Sequence, residues 1–432
     1  MKTTEPNINA GLVTAAHNAW SALGELRKRR ERFKRYTYGD QWGDLVTDDS
    51  GRPVREGDLL GRTGTPPMTN NLIRRLVKTI VGRYRSISAE QHRYDTAAGS
   101  ADAFNDMAEL DSRLLEEFLI SGCAIQRVSR DVRPAGSGVW VDNVSPGTFF
   151  TGPFSDPRGS DVEMVGMLHS MSLAQLLSRF GGGSAASVRR LRNILAAEGE
   201  AMLASATLAG ADADFFSTAT QGHYRVIEMW TLDAVTRPRT HFEWHCRWLT
   251  PGGELLAAYR SPYGHGRHPF VFKFYPYVDG EVHPFVEDVI DQQRYINRLV
   301  VLIDKMMGST AKGVLLFPVN ERVPGFSWEE ICRRWSSTDG VIPIMGHDSG
   351  VRPQQVTSAG ADAGAHKLLE LELKLFEDIS GVSDALLGKS TGGSGGQGLY
   401  ESQVSNSTIA LADIFQTFAS LTVRRDNLIK NL

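Results

Sequence analysis

The sequence predicts an α+β protein whose second half is built on long helices. Three observations carry that prediction. Apolar residues recur at helical spacing over 72–84 and 286–308, and short Gly/Pro-bounded segments with alternating polarity recur between 124 and 259. The third is bulk: 432 residues, 41% hydrophobic and 22% charged, suffice for a sizeable core and two to four domains. With 43 Gly, 18 Pro and 3 Cys, a collagen, a disulfide scaffold and wholesale disorder are excluded.

Ala10 to Arg35 reads as one helix carrying a basic cluster in its last turns: Arg27, Lys28, Arg29, Arg30, Arg32, Lys34 and Arg35. Such a run either meets phosphates or is a solvated helix end. An aromatic turn follows at Tyr38-Gly-Asp-Gln-Trp-Gly43, then a polar stretch to Pro67. Asn70 or Asn71 caps the next helix, where Leu72, Leu76, Ile80 and Tyr84 repeat beside Ile73, Val77 and Val81. Ser100 is the expected cap of a further helix, striped by Phe104, Met107, Leu110, Leu114 and Phe118 and ending near Gly122.

From there the period becomes that of strands: Ala124 to Val128, Val139 to Val144 and Met164 to Met171. An Ala-rich helical insertion, Leu173 to Leu208, precedes three more, Tyr224 to Leu232, His241 to Leu249 and Glu254 to Tyr259, spaced like an antiparallel meander. Residues 1–285 therefore read as one large α+β body.

Beyond Pro284 a helix is expected over Val286 to Gly308, about 34 Å long, with Val289, Ile296, Val300, Ile303 and Met307 on a near-heptad seam. Acids sit at Glu287, Asp288, Asp291 and Asp304. A small βαββ block follows within 309–364: strand Gly313 to Phe317, helix Trp328 to Trp335 capped by Ser327, and strands Val341 to Met345 and Arg352 to Thr357. The return helix, His366 to Ser380, is expected to turn Leu368, Leu371, Leu375 and Ile379 inward and to expose Glu370, Glu372, Glu377 and Asp378. Gly381 to Gly398 holds seven glycines in eighteen residues, a composition suited to mobility. A last helix is expected from Tyr400 to Leu432, without a cap or a Gly stop, so that its last turns fray or the natural chain continues.

Formal charge is −3, from 47 Lys+Arg and 50 Asp+Glu, and nothing in that total demands a nucleic-acid partner. Cys123, Cys246 and Cys332 are odd in number and lack CxxC spacing, which suits a reducing compartment. No apolar run approaches the roughly 18 residues of a membrane span, and no signal-peptide h-region opens the chain. Gly388-Lys389-Ser390-Thr391 matches the end of a phosphate-binding loop, but position 383 is Ser where the motif needs Gly, and no strand precedes it. His241, Glu243 and His245 share one strand face and could hold a metal; a polar face flanked by Trp244 and Trp248 is the preferred reading, since no fourth ligand lies at usual spacing. No spaced catalytic set appears, so no enzyme and no cofactor are expected. The alternative kept open is a nucleic-acid-processing enzyme using the 388–391 loop; a third is a shorter ring-forming head-tail connector.

The ordered series Tyr38-Gly-Asp-Gln-Trp42, Asn71-Leu-Ile-Arg-Arg-Leu-Val-Lys-Thr-Ile-Val-Gly82, Val139-Trp-Val-Asp-Asn-Val-Ser-Pro146, Val289-Ile-Asp-Gln-Gln-Arg-Tyr-Ile-Asn-Arg-Leu299 with Ala311-Lys-Gly-Val-Leu-Leu-Phe-Pro318, and Ile379-Ser-Gly-Val-Ser-Asp-Ala-Leu-Leu-Gly388 with Ser402-Gln403, resembles bacteriophage portal proteins. That resemblance implies a portal fold: wing 1–285, first stem helix 286–308, clip 309–364, second stem helix 365–380, tunnel loop 381–399, and a helix 400–432 toward a short or absent crown. It also implies a homo-oligomeric, dodecameric ring at one capsid vertex of the virion, assembled in the host cytoplasm. The ring packages and ejects double-stranded DNA without sequence specificity. Terminase large subunit, major capsid protein and a head-tail adaptor are the implied partners, with no membrane. Lys389, Ser390, Thr391 and Gln397 in the loop and Asp288, Asp291, Glu370 and Glu377 on the stem are expected to face the channel. The cluster from Arg27 to Arg35 is expected to make basic wing contacts, and Trp328 and Trp335 to act in clip assembly. Acidic stem helices suit a channel that passes DNA without gripping its phosphates.

Overall fold

The structure, a computed structural model, describes residues 6–61, 67–92, 105–133, 136–205, 213–218, 220–236, 240–310, 314–316, 327–336, 354–356, 362–382, 409 and 411–432. The expected first helix is two: α1 (Pro6–Ala22) and α2 (Gly24–Tyr38), broken at Leu23 before Gly24, a poor helix former. Gly39, left-handed at φ 107°, ends α2. The polar stretch before Pro67 holds a hairpin, β1 (Leu45–Thr47) with β2 (Pro53–Arg55), and α3 (Glu56–Gly61). In α4 (Leu72–His92), Asn71 is the cap: its Oδ1 accepts from Arg74 N at 2.9 Å. Helix α5 (Met107–Ser121) is capped by Asp106; Ser100, the expected cap, lies outside the described residues. Gly122 closes α5 at φ 70°, and a Cβ there would lie 2.6 Å from the Tyr275 carbonyl oxygen, so no other residue fits.

Two sheets follow. Strand β3 (Cys123–Arg133) pairs with β4 (Gly136–Asn143), and β5 (Phe149–Thr151) begins a second sheet with β6 (Met164–Ser172). The helical insertion is α6 (Leu173–Phe180), α7 (Ala185–Ser205) and α8 (Ala213–Phe216). The expected meander is present as β7 (His223–Val235), β8 (His241–Leu249) and β9 (Leu255–Arg260), all antiparallel in the order β5-β6-β7-β8-β9. Strand β10 (Phe270–Phe274), unforeseen because its sequence gives a short apolar run without alternation, pairs with β3 to complete the first sheet as β10-β3-β4. A small hairpin, β11 (Tyr277–Val278) with β12 (Glu281–Val282), leads out.

The sheets share a core in which Ile125 and Phe270 meet Phe149, Val165, Trp230 and Trp248. Val13, Ala16 and Trp20 of α1 cover the other face of the meander over Phe150, Leu168, Ile227 and Leu249. The long helix is α9 (Glu287–Thr310), followed by β13 (Val314–Leu316), α10 (Trp328–Ser336), β14 (Gln354–Val356) and α11 (Asp362–Ser380). Strands β13 and β14 pair antiparallel, and Ser327 accepts from Glu330 N as the expected cap of α10. The strand expected over Val341 to Met345 lies outside the described residues, as does the Gly-rich run from 383 onward.

The last helix, α12 (Ala412–Lys430), does not project away from the body. Phe418 is fully buried between Tyr84 of α4 and Phe118 of α5, and Arg425 is buried against Asp111. Its final turn is closed at Asn431, whose N–H donates to Leu428 and Ile429 carbonyls, rather than frayed. One helical core thus joins α2, α4, α5, α9, α11 and α12 through Tyr36, Ile73, Leu115, Val289, Phe376 and Phe418. Among the described residues no helix is long and apolar enough to cross a membrane.

Candidate functional site

The most elaborate polar construction lies where α9 leaves the body. Gln293 and Asn297 are buried at adjacent turns of α9, between the apolar Val289, Ile296 and Ile303. A polar side chain in such a seam costs free energy unless its hydrogen bonds are made. They are. Gln293 Oε1 accepts from the N–H groups of Leu72 (2.9 Å) and Ile73 (3.3 Å), two donors at the start of α4 that have no partner within the helix. Its Nε2 donates to the Asn70 carbonyl (2.7 Å) and to Asn297 Oδ1 (3.1 Å). Asn297 Nδ2 donates to Gln41 Oε1 (2.6 Å), and Gln41 in turn donates to the Tyr36 carbonyl (2.9 Å) and Asn71 Oδ1 (3.1 Å). The stretches 38–42, 71–82 and 289–299 therefore meet at one joint.

Charge reinforces it. Glu56, buried at the start of α3, accepts from Arg294 (3.0 Å) and Arg298 (2.7 Å) of α9. Beside it Asp44 accepts from Tyr36, Arg32 and Arg35. Burial alone would raise the Asp44 pKa, but hydrogen bonds from Tyr36 and Arg32 hold it below the ordinary carboxylate value. The Tyr36 phenol is pushed up to about 12 by burial and by Asp44. So α9 is clamped along two turns to the 36–44 segment, α3 and α4.

A second ionic construction crosses between the sheets. Arg127 of β3 and Glu228 of β7 are both buried and bonded at 3.1 Å, with His169 Nε2 (2.7 Å) and Trp230 Nε1 (2.9 Å) also on the Glu228 carboxylate. Burial opposes ionisation of Glu228, yet Arg127 and His169 outweigh it and its pKa falls well below the usual range. Burial outweighs Glu228 at His169, whose pKa is lowered, so the ring donates as a neutral imidazole. Neither construction was anticipated; the available signals were Gln293 inside an apolar seam and Glu228 inside the run Val226-Ile-Glu-Met-Trp230.

The basic cluster on α2 is largely engaged within the chain. Arg29 pairs with Glu287, Arg30 with Glu117, Arg32 and Arg35 with Asp44, and Arg27 stacks over Trp20 at 3.6 Å. Burial lowers the Arg27 pKa to about 10. Lys28 pairs with Glu25 at the surface, and Lys34 is exposed with no carboxylate partner among the described residues. Five of the seven expected basic contacts thus serve folding, four because carboxylates from elsewhere in the chain come to them and Arg27 by stacking on Trp20.

On α9, Val289, Ile296 and Ile303 of the expected seam are buried, but Met307 is exposed; Asp288 and Asp291 are exposed. The orientation of α11 is a correction. Phe376 and Ser380 face inward with Leu369 behind them, while Leu371, Leu375 and Ile379 are 51%, 38% and 44% exposed. The helix carries two apolar stripes, and α9 covers only the one that includes Phe376. Glu370 is exposed, and Glu377 lies beside Arg75 of α4 at the rim of a recess of about 250 Å³.

His241, Glu243 and His245 do share a face of β8, but Glu243 is bonded to His241 (2.8 Å) and Arg260 (3.2 Å), and His245 faces Asp233 at 3.3 Å. Among the described residues no cluster has the make-up of a metal site. Trp328 is exposed on α10, and Trp335 lies on the same helix. Lys389, Ser390, Thr391 and Gln397 fall outside the described residues.

The family model for phage P22-like portal proteins matches residues 140–420, which include both sheets from β4 onward, the α9–α11 pair and the block between them. The chain belongs to the P22-like phage portal protein family. The match supports a portal role at the capsid vertex, and portal proteins are structural rather than enzymatic. No curated protein matches the sequence.

Proposed function

We propose that the chain is one subunit of a closed homo-oligomeric ring, dodecameric by resemblance, through which double-stranded DNA is packaged and ejected. In this reading 1–285 is the wing, 286–308 and 365–380 the stem, 309–364 the clip and 381–399 the tunnel loop. The helix expected to lead toward the crown lies, in its described part α12, against the wing instead. The carrying observation is the second apolar stripe of α11, Leu371, Leu375 and Ile379, which the described residues leave exposed. In a cyclic ring the neighbouring subunit supplies the missing cover.

Asp288, Asp291, Glu370 and Glu377 then give the channel an anionic wall that repels phosphates, so that the duplex slides. Lys389, with Ser390, Thr391 and Gln397, supplies transient contact from the loop, without base readout. Lys28 and Lys34 are the basic wing residues left for phosphates, and Trp328 and Trp335 support contacts between clips. Terminase large subunit and a head-tail adaptor dock at the clip, and the major capsid protein docks at the wing.

Electron microscopy of the purified full chain tests this. Rings with a central channel are expected, and Leu371→Glu with Leu375→Glu should abolish them while circular dichroism and monomer unfolding stay unchanged. A monodisperse monomer under every assembly condition, or rings that tolerate both charges, would overturn the proposal.

A further inference from the structure

A recess of about 240 Å³ lies where the 155–161 loop, β10 and α12 meet, lined by Arg158, Arg267 and Arg424 above a floor of Phe270, Phe272 and Leu428. We propose that it is a docking pocket for an acidic peptide segment with an apolar anchor, presented by a partner protein.

Three observations point there. Two of the three guanidiniums carry uncompensated charge: Arg267 is exposed, and neither it nor Arg424, which donates to the Arg158 carbonyl (2.8 Å), has a carboxylate partner among the described residues, whereas Arg158 is paired with Asp156. Lys273, next on β10, donates to the Pro157 carbonyl (3.3 Å), and its pKa is lowered by burial and by Arg424. The only carboxylates in the loop, Asp156 and Asp161, are occupied within it. Asp156 accepts from Arg158 Nε (3.0 Å) and N (2.8 Å), and Asp161 from Ser155 N (2.7 Å) and Asp156 N (3.1 Å).

Those same bonds make the wall rigid before any ligand arrives, which lowers the ordering cost of binding. Gly159, at φ +66°, completes the wall: a Cβ there would sit 2.8 Å from Phe272, so only glycine lets the loop lie against the floor.

Size and lining then select the ligand. The recess is smaller than the roughly 300–1,000 Å³ of small-molecule clefts and suits one or two side chains. DNA offers many phosphates along a stiff convex rod and rewards an extended basic track. Here the cations ring an apolar floor instead, which matches a Leu or Phe flanked by Glu or Asp. This pocket does not depend on the ring reading: the surface is formed within one chain.

Fluorescence anisotropy of the full chain with a fluorescein-labelled peptide of alternating Glu and Leu, at physiological salt, provides the test. Saturable binding is expected, weakened about tenfold or more by Arg267→Glu and by Arg424→Gln, and equally by replacing the peptide's Glu with Gln. Arg267 has no side-chain partner among the described residues, so Arg267→Glu leaves folding unchanged by circular dichroism. Binding indifferent to both variants overturns the proposal. So does labelled duplex DNA that competes with equal affinity and is lost with the same variants, and so does self-association of the chain that Arg267→Glu reverses.

Discussion

The two-sheet body and the α9–α11 pair solve the burial problem in opposite ways. In the body both faces of the meander have a cover made by the same chain: α1 on one side, the β10-β3-β4 sheet on the other, and Arg127 and Glu228 neutralising each other between the sheets. In the pair, α9 covers one stripe of α11 and leaves Leu371, Leu375 and Ile379 to solvent. The difference teaches that the body is covered from within the chain, whereas the pair leaves an apolar stripe that the described residues do not cover. Between them stands the polar joint of Gln293 and Asn297, neither apolar core nor open face.

The sharpest way to break this comparison is to attack the body. Arg127→Ala leaves Glu228 buried without its cation and should destabilise the isolated chain by about 3–5 kcal/mol in urea unfolding. If the loss is under 1 kcal/mol, the sheets are not held by this pair. The joint comes next. Gln293→Leu removes the acceptor for two α4 N–H groups and should cost about 1–3 kcal/mol, with hydrogen exchange at Leu72 and Ile73 rising before that of the sheets.

A smaller effect is set by pH. His268 is buried against Trp244, and burial, then Arg267, lowers its pKa from 6.5 to about 3. A histidine depressed in the folded state binds fewer protons than in the unfolded one, so stability is full above 6.5 and falls as pH drops through the window below it. The slope should start at about 0.7 kcal/mol per pH unit at pH 6.5 and approach about 1.4 kcal/mol per pH unit by pH 5, and His268→Gln should flatten it in thermal melts. The smallest effect is the most telling: Leu371→Glu should change monomer stability by no more than about 0.5 kcal/mol, as at any exposed site. A large destabilisation of the monomer would mean that the stripe is already covered within the chain.

Much of the architecture was legible locally. The α4 pattern, the meander over 224–259 and the long helix after Pro284 follow from periodicities that depend only on neighbouring residues. Strand β10 and the β1–β2 hairpin were missed because their segments are too short to show a period, and their pairing is made by partners far away. The same limit hid the joint. Gln293 between Val289 and Ile296 looks like a flaw in a seam until α4 brings two N–H groups to it. The basic run showed the converse: Arg29, Arg30, Arg32 and Arg35 read as free cations because Glu287, Glu117 and Asp44 lie elsewhere in the chain.

By itself, then, the sequence determined most of the elements and their order, because helical and strand periodicities and capping residues act over a few positions. Which of α11's two apolar stripes turns inward, which arginines remain available to a partner, and where the last helix lies were decided only by tertiary structure. Burial and ion pairing are set by whichever groups the fold brings within a few ångströms, and no local pattern records that choice.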